Sequence, residues 1–312
     1  MSALLFSILK KTKLVFVGFS VSLTLILTTA FCVSSFFEEE HEEIISKEVK
    51  KFKTYKNLDL IRSAKTRASY KFPKKPLKEI VLLFHSFATS PEDYEPLFRI
   101  LDKKGISYYA PTILGFGLED TGLLEKIEAE DWARQAIETY ELCAQLAEEV
   151  HVVGQSLGTL MAVMVAKMKK PRKVILLSPA LFLKGKILSL KQHYQNNWFF
   201  RTYIKYIKKY LALPLVARPI FRYESLPINS LEALVKFQNI ILNDPSPLHE
   251  SAVHVLYGKD DEISDTESML HYLKKNKVPY KSYQYDTAHS LLIEHGHDKQ
   301  KILNRIGKIL EE

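Results

Sequence analysis

The chain has 312 residues, a net charge of +8 and a hydrophobic fraction of 46%. This length and composition are enough for a large buried core, and α/β folds of about 200–250 residues commonly form one domain. The two cysteines are Cys32, in a long apolar run, and Cys143, in a predicted helix. The composition therefore excludes a domain that depends on internal disulfides, and it leaves the redox compartment open.

The N-terminal part of the chain contains a long uncharged run. Residues 14–37 carry no Lys, Arg, Asp or Glu, and three lysines precede them in the basic tail formed by residues 1–13. A run of this length spans a bilayer with some tilt, which predicts a single transmembrane anchor. A cleavable signal peptide is the alternative, but the run is long for one and no A-x-A cleavage site follows it.

A charged linker, residues 38–78, follows the predicted anchor. The stretch from Lys47 to Lys78 contains twelve Lys or Arg residues and only two acidic residues, Glu48 and Asp59. Anionic lipid headgroups would attract such a segment, although a purely solubilising linker would have the same composition. Lysines lie on both sides of the anchor, so the positive-inside rule leaves its orientation open. We expect a single-pass membrane protein with the rest of the chain on the extracytoplasmic side.

From residue 79 onward, strand-like apolar runs alternate with helical segments. The alternation favours an α/β fold with a mainly parallel, doubly wound sheet and helices on both faces. The main domain is therefore predicted at residues 79–312. We predict strands at 79–84, 106–110, 150–153, 173–178, 253–258 and 281–285, and helices at 91–104 and 131–148.

A Gly-x-Ser-x-Gly motif, residues 154–158, joins the third predicted strand to a helix-like run. A sharp strand-to-helix turn is strained and crowded, so it needs very small residues two positions before and after the exposed serine. Glycine meets this need because it has no Cβ. The start of the helix also offers free N–H groups to a developing oxyanion. The motif predicts Ser156 as a nucleophile; a Gly/Ser loop that fits the pattern by chance is the alternative.

The alternation of strands and helices stops between about residues 179 and 251, a gap much longer than an ordinary loop. We predict a helical cap here, which closes with a helix at 231–242. Four aromatic residues of this segment fall at the spacing of one helical face, with basic residues among them. This face is expected to pack on the edge of the sheet. It could in addition line an acyl pocket or enter a lipid surface. The four aromatic residues are Phe199, Tyr203, Tyr206 and Tyr210.

A serine hydroxyl is a poor nucleophile unless a positioned base accepts its proton. On this type of sheet the chain order is serine, acid, histidine, and both partners are available after the motif. Asp260 and Asp261 follow the fifth predicted strand, and adjacent side chains point in different directions, so only one should reach the imidazole. His289 follows the last predicted strand directly and is the best candidate base. His295 and His297 lie later, near the terminal helix, where we expect surface or capping residues.

With these residues, the chain resembles the α/β-hydrolase superfamily and, within it, the carboxylesterase and monoacylglycerol-lipase branch. The resemblance covers residues 79–311. It rests on the serine motif, on Gly258 followed three residues later by Asp261, and on the Ala-His-Ser-Leu-Leu sequence around His289. It implies an α/β-hydrolase fold in which Ser156, Asp261 and His289 form a catalytic triad.

The same resemblance assigns an oxyanion hole to the backbone N–H groups of Phe87 and Leu157. Enzymes of this branch carry a His-Gly-x loop after an early strand, and the matching residues here are His85, Ser86 and Phe87. Ser86 departs from the glycine of the family, and it would be strained if its φ were positive. A second departure lies at residues 111–117, where many relatives have Gly-His-Gly.

The resemblance, the anchor and the aromatic cap together predict a membrane-anchored serine hydrolase for lipid-like acyl esters, such as a monoacylglycerol or a lysophospholipid. An acyltransferase or a thioesterase would use the same triad, and a hydrolase-fold protein that binds a lipid or partner without turnover is a further alternative. The sequence contains no zinc spacing and no phosphate-binding loop, so we expect neither metal nor cofactor. The basic excess lies beside the predicted anchor and no groove-reading motif occurs, which disfavours nucleic acid as a partner.

Overall fold

The computed structural model describes most of the predicted main domain. The predicted tail, the transmembrane anchor and most of the charged linker lie outside the described residues, as do three of the four aromatic residues of the predicted cap face. Among the helices that the structure describes, none has the length and hydropathy of a membrane span. The described residues are 69–71, 77–117, 122–185, 189, 192, 196–197, 210–212, 225–248, 251–292 and 298–312.

The described strands and helices follow the predicted alternation. Each of the six predicted core strands is present, as β2, β3, β4, β5, β8 and β9. The strands are β1 (Ser69–Lys71), β2 (Leu77–Phe84), β3 (Ser107–Ala110), β4 (Ala147–Gln155), β5 (Lys173–Leu177), β6 (Tyr210–Ala212), β7 (Ser225–Pro227), β8 (Ala252–Gly258) and β9 (Tyr280–Tyr285). The helices are α1 (Glu95–Lys104), α2 (Ala129–Leu146), α3 (Leu157–Met168), α4 (Ile228–Asn243), α5 (Thr266–Lys275) and α6 (Lys299–Glu311), with 3-10 turns at Pro91–Tyr94 and Gly122–Glu125.

Seven of these strands form one sheet in the order β1-β3-β2-β4-β5-β8-β9. The six strands from β3 to β9 in this order run parallel, and β1 pairs antiparallel with β3 at the edge. The prediction of a mainly parallel sheet is therefore confirmed. The carboxyl ends of parallel strands share one edge of the sheet, where α/β folds bind their ligands. The loops after β2, β4, β8 and β9 meet at this edge and carry Phe87, Ser156, Asp261 and His289.

Apolar side chains cover both faces of the sheet. On one face, Val81 and Leu83 of β2 share a core with α1 and α6, which contribute residues such as Leu97 and Ile306. Side chains of a strand alternate between the two faces. α2 and α3 contact each other and the central strands without joining that core, and α4 packs on both of these helices. α2 and α3 therefore cover the opposite face of the sheet, as expected for a doubly wound fold. The first eleven residues of α3 are all buried, which explains why its sequence has no polar stripe.

Two parts of the sheet differ from the sequence prediction. β1 lies in the segment that we predicted as a linker, and it pairs with β3 with Ser69 opposite Ala110. Three residues without apolar alternation carry little strand signal, so its pairing depends on a partner distant in the sequence. The helix predicted at 131–148 ends two residues early, because β4 begins at Ala147 and pairs there with β2.

The described part of the predicted cap also differs in detail. Tyr210 opens strand β6, which pairs with β7, so the helical face that we predicted through this residue does not extend to it. α4 occupies the position of the helix predicted at 231–242 and begins three residues earlier. α5 was not predicted, although Asp265 caps its N-terminus by accepting a hydrogen bond from the Ser268 N–H (3.0 Å).

Cys143 lies on the buried face of α2 and forms no disulfide. Burial raises the pKa of its thiol far above the usual range. The thiol therefore stays protonated, and it packs as a small apolar side chain.

Candidate active site

Ser156 stands on a strained turn between β4 and α3. Its φ and ψ are 51° and −113°, a region that costs free energy for any residue with a Cβ. The surrounding backbone holds this conformation: the Ser156 N–H donates to Leu177 O on β5 (3.0 Å), and the Ser156 carbonyl accepts the Thr159 N–H (2.9 Å). The turn therefore fixes the serine at the carboxyl edge of the sheet.

The two glycines of the motif are needed because the turn is packed against backbone on both sides. A Cβ at Gly154 would lie 2.2 Å from the carbonyl oxygen of Gly158. A Cβ at Gly158 would lie 1.9 Å from Phe84 O and 2.8 Å from His85 O. The absence of these side chains lets the serine turn approach the end of β2 and the loop that follows it.

His289 joins the serine to an acid. Its Nε2 lies 2.9 Å from Ser156 Oγ, and its Nδ1 lies 2.8 Å from Asp261 Oδ2. The exposed fractions of the three residues are only 8% for Ser156, 8% for His289 and 3% for Asp261, so water screens these contacts weakly. The structure thus brings together the three side chains that the sequence singled out, from loops after three different strands.

The environment of Asp261 favours its carboxylate form. Burial alone would raise its pKa, but the hydrogen bond from His289, the charge on that ring and two backbone N–H groups lower the pKa overall. These N–H groups belong to Ile263 (2.8 Å) and Ser264 (2.9 Å), and both donate to Oδ1. Asp260 is exposed, and its backbone N–H donates to Thr287 O (3.2 Å). The residue that reaches the imidazole is therefore Asp261.

Sequence reasoning missed one polar neighbour of the imidazole. Ser264 is fully buried; its hydroxyl donates to Ser178 O over 3.1 Å and lies 3.4 Å from His289 Nδ1. Nothing local in the sequence distinguishes Ser264 from a turn serine, because the partners of its hydroxyl, Ser178 and His289, lie in loops after other strands. Its hydroxyl and its N–H help to fix the orientation of the Asp261 and His289 side chains.

The loop after β2, residues 85–89, lies beside the serine turn, and Leu157 is the first residue of α3. The N–H of a first helical residue has no acceptor within its own helix. Ser86 does not have a positive φ, so the strain that we considered at this departure from the family is absent. The left-handed residue of the loop is Ala88, with a φ of 60°. Of the two predicted oxyanion residues, Leu157 directly follows Ser156, and Phe87 lies on the neighbouring loop.

An aromatic cluster surrounds the loop that carries Phe87. The Phe87 ring is 5.4 Å from the ring of Phe116 and 6.4 Å from that of Trp132, and Trp132 also contacts Phe237 of α4 at 6.5 Å. Phe116 belongs to residues 111–117, the second departure from the family pattern. Aromatic packing connects this segment and the loop to α2 and to α4 of the cap.

Two histidines of the core strands, His151 and His254, are packed and hydrogen-bonded away from the triad. His151 Nε2 lies 3.0 Å from Glu79, and the ring of His254 stacks on Tyr283 at an interplanar angle of 3°. His295 and His297 lie outside the described residues. Within the described ranges, no group of three or more His, Cys, Asp or Glu side chains is arranged to hold a metal ion.

A serine on a strand-to-helix turn, with an acid after β8 and a histidine after β9 of a mainly parallel sheet, defines the class of α/β hydrolases. Comparison with known proteins agrees with this class. Residues 80–298 match the Alpha/beta hydrolase family. The match covers more than half of the chain, and the chain belongs to this family.

Individual relatives are distant. A carboxylesterase of Bacillus subtilis (strain 168) is 24% identical over 190 residues, which are 60% of this chain and 74% of the esterase. The structure is similar to that of the metagenome-derived lipolytic enzymes LipS and LipT, with a TM-score of 0.62 and 15% identity over 80% of this chain and 98% of that chain. A soluble variant of the Saccharomyces cerevisiae monoglyceride lipase has a TM-score of 0.61 and 13% identity over 83% of this chain and 99% of that chain. At these identities the structural likeness shows the fold alone.

Proposed function

We propose that this protein is a serine hydrolase that cleaves carboxylic esters through an acyl-enzyme on Ser156. The observation that carries the proposal is the 2.9 Å contact between His289 Nε2 and Ser156 Oγ. A base at this distance can accept the hydroxyl proton as the oxygen attacks a carbonyl carbon. The curated carboxylesterase relative and the lipolytic structures of the same fold support an ester as the substrate.

Each side chain has a defined role in the proposed reaction. His289 accepts the proton of Ser156 during attack and returns it to the leaving alcohol, and it then activates the water that releases the acid. Asp261 holds the hydrogen of the ring on Nδ1, so that Nε2 is free to act as the base. Its carboxylate also stabilises the imidazolium that forms, and the lowered pKa keeps it ionised.

We assign the stabilisation of the negative charge on the tetrahedral intermediate to the backbone N–H groups of Phe87 and Leu157. Removing one donor from such a site typically raises the barrier of acyl transfer by roughly 3–4 kcal/mol. Both donors are supported by their position: Leu157 follows the nucleophile directly, and Phe87 lies on the loop that the serine turn contacts through Gly158.

We further propose that the substrate is a lipid-like acyl ester, such as a monoacylglycerol or a lysophospholipid. Two of the similar structures are named as monoacylglycerol or monoglyceride lipases, and the predicted anchor at 14–37 would keep the site close to a membrane surface. In this proposal the catalytic domain lies on the extracytoplasmic side, and the basic linker lies against anionic headgroups.

The proposal is tested with the full chain in detergent micelles. Wild type is expected to react with a fluorophosphonate probe at Ser156 and to hydrolyse p-nitrophenyl esters and monoacylglycerols in a series of increasing chain length. Ser156→Ala is expected to abolish both activities. Ser251→Ala is the matched control, since this buried serine donates to Pro171 O at the opposite end of β8.

The outcomes separate the alternative functions. Product analysis with added alcohol and thiol acceptors distinguishes a hydrolase, which releases the free acid, from an acyltransferase. A properly folded wild type that neither labels nor cleaves any ester would contradict the proposal and favour a binding protein.

A further inference from the structure

The carbonyl of Ser86 accepts two side-chain hydrogen bonds inside its own loop, residues 85–89, which we call the oxyanion loop. His85 Nδ1 lies 2.9 Å from this oxygen, and Thr89 Oγ1 donates to it over 2.9 Å. The other ring nitrogen, His85 Nε2, accepts the backbone N–H of Ile113 at 2.9 Å. A carbonyl can only accept and a backbone N–H can only donate, so the ring must carry its hydrogen on Nδ1. Both donors to the Ser86 carbonyl are therefore defined by the structure.

These two donors are sheltered from solvent. His85 is completely buried and Thr89 is 9% exposed. Burial lowers the pKa of His85 to about 4, so the ring is neutral at physiological pH and keeps the tautomer that its partners require. Thr89 Oγ1 also lies 3.3 Å from His85 Nδ1, which places the two donors side by side on the same oxygen.

The direction of the Ser86 carbonyl determines the direction of the next N–H. The peptide bond between Ser86 and Phe87 is planar and trans, so its C=O and N–H point in opposite directions. Rotation of this plane moves both groups together. Two hydrogen bonds that hold the carbonyl oxygen from one side therefore also fix where the Phe87 N–H points on the other side.

We infer that His85 and Thr89 are positioning residues, which aim the Phe87 N–H at the oxyanion by fixing the plane of the Ser86–Phe87 peptide. This inference rests on the proposed function, because it requires an oxyanion at Ser156. It assigns a role in positioning to a histidine and a threonine whose side-chain hydrogen bonds lie within their own loop and to Ile113.

The remaining anchors of the loop allow the role to be tested without loss of the fold. The Phe87 ring packs on Phe116 and Trp132. Loss of one hydroxyl bond at Thr89 leaves these ring contacts and both ring bonds of His85 in place. The expected result is a peptide plane that fluctuates within an intact loop, which weakens the oxyanion contact more than substrate binding.

The test compares Thr89→Val, which keeps the shape of the side chain but removes the hydroxyl, with Thr89→Ser, which restores it. Thr139→Val is the matched control, because the Thr139 hydroxyl also donates to a backbone carbonyl, that of Gln135 (2.7 Å), within α2. All variants are made in the full chain in detergent micelles. Two quantities are measured: the second-order rate of fluorophosphonate labelling, in which the phosphonyl oxygen occupies the oxyanion site, and kcat and KM for a p-nitrophenyl ester.

Thr89→Val is expected to lower both the labelling rate and kcat by about tenfold, with KM within about twofold of wild type, because only the transition-state contact is weakened. Thr89→Ser should recover most of the loss, and Thr139→Val should show none. A Thr89→Val protein that labels at the wild-type rate overturns the inference, as does a loss that appears only in KM or that serine fails to restore. A wild type that does not label at Ser156 contradicts the proposed function instead.

Discussion

Gly258, the last residue of β8, gives a sensitive test of how the imidazole is positioned. Its φ lies outside the left-handed region, so an alanine would cause no backbone strain there. The problem is space: a Cβ would lie 2.1 Å from Thr287 O and 2.4 Å from Ala288 O, in the loop that carries His289. Both atoms are backbone, and neither can rotate away as a flexible side chain would.

The size of the displacement follows from these distances. Ordinary contacts of a Cβ lie at 3.4–4 Å, so in Gly258→Ala the loop must retreat by more than about 1 Å to remove the overlap. The 2.9 Å contact between His289 Nε2 and Ser156 Oγ would then exceed the range of a hydrogen bond. Misplacing a catalytic group by about 1 Å can cost on the order of 100-fold in rate. We therefore expect kcat to fall by about 100-fold, or about 2.7 kcal/mol in the barrier.

The assay is steady-state hydrolysis of a p-nitrophenyl ester, together with thermal unfolding to establish that the variant is folded. Gly105→Ala is the control, because no atom lies within 4 Å of a Cβ at that position although its φ is 69°. It should lose about 1 kcal/mol of stability through left-handed strain and keep its kcat. A folded Gly258→Ala protein with wild-type kcat would refute the reasoning, since the loop could then move without displacing the imidazole.

Three further predictions concern the acid, a buried histidine and the oxyanion loop. Asp261→Asn should lower kcat by about 10⁴-fold, because the amide no longer secures the required tautomer of the His289 ring. Asp260→Asn should keep its kcat. Both variants are measured with the same p-nitrophenyl ester. His85 has a folded pKa of about 4 against an ordinary value of 6.5, so below pH 6.5 the unfolded chain binds a proton that the folded chain does not. The free energy of unfolding should therefore fall by up to about 3 kcal/mol from this residue as the pH falls from 6.5 to 4. Urea unfolding across this range should show a shallower pH dependence for His85→Gln than for wild type. An unchanged pH dependence would contradict the lowered pKa of His85. Ala88→Gly should raise the free energy of unfolding by up to about 1 kcal/mol, because glycine accepts a φ of 60° without strain; a destabilised variant in the same urea assay would argue against strain at this position.

The residues of the candidate site were predictable where their signal was local or followed from chain order. The serine motif is contiguous, so the sequence alone indicates both the turn and the need for small neighbours. His289 could be chosen over His295 and His297 because it directly follows a strand that ends at the same edge as Ser156. The choice between Asp260 and Asp261 needed the family resemblance, because either side chain could reach the imidazole from its position in the sequence.

Contacts between distant segments could not be predicted in this way. The pairing of β1 with β3 joins residues far apart in the chain, and three strand residues in a lysine-rich segment give no pattern to detect. The hydrogen bond from the Ile113 N–H to His85 and the position of Ser264 beside the His289 imidazole depend on packing between loops. Strain was considered at Ser86, but the packed loop places the positive φ at Ala88. Helix α5, by contrast, does have a local signal in the sequence, because its N-terminal capping residue is an aspartate, Asp265.

The sheltered sulfur of Cys143 has a practical consequence for later work. Maleimides, peroxides and oxidised glutathione react with a thiolate, and burial holds this thiol in its protonated form. With Cys32 replaced by serine, a fluorophore could be attached to a new cysteine beside the His289 loop without background labelling of α2. The same inertness means that ester cleavage should proceed alike in an oxidising and in a reducing compartment.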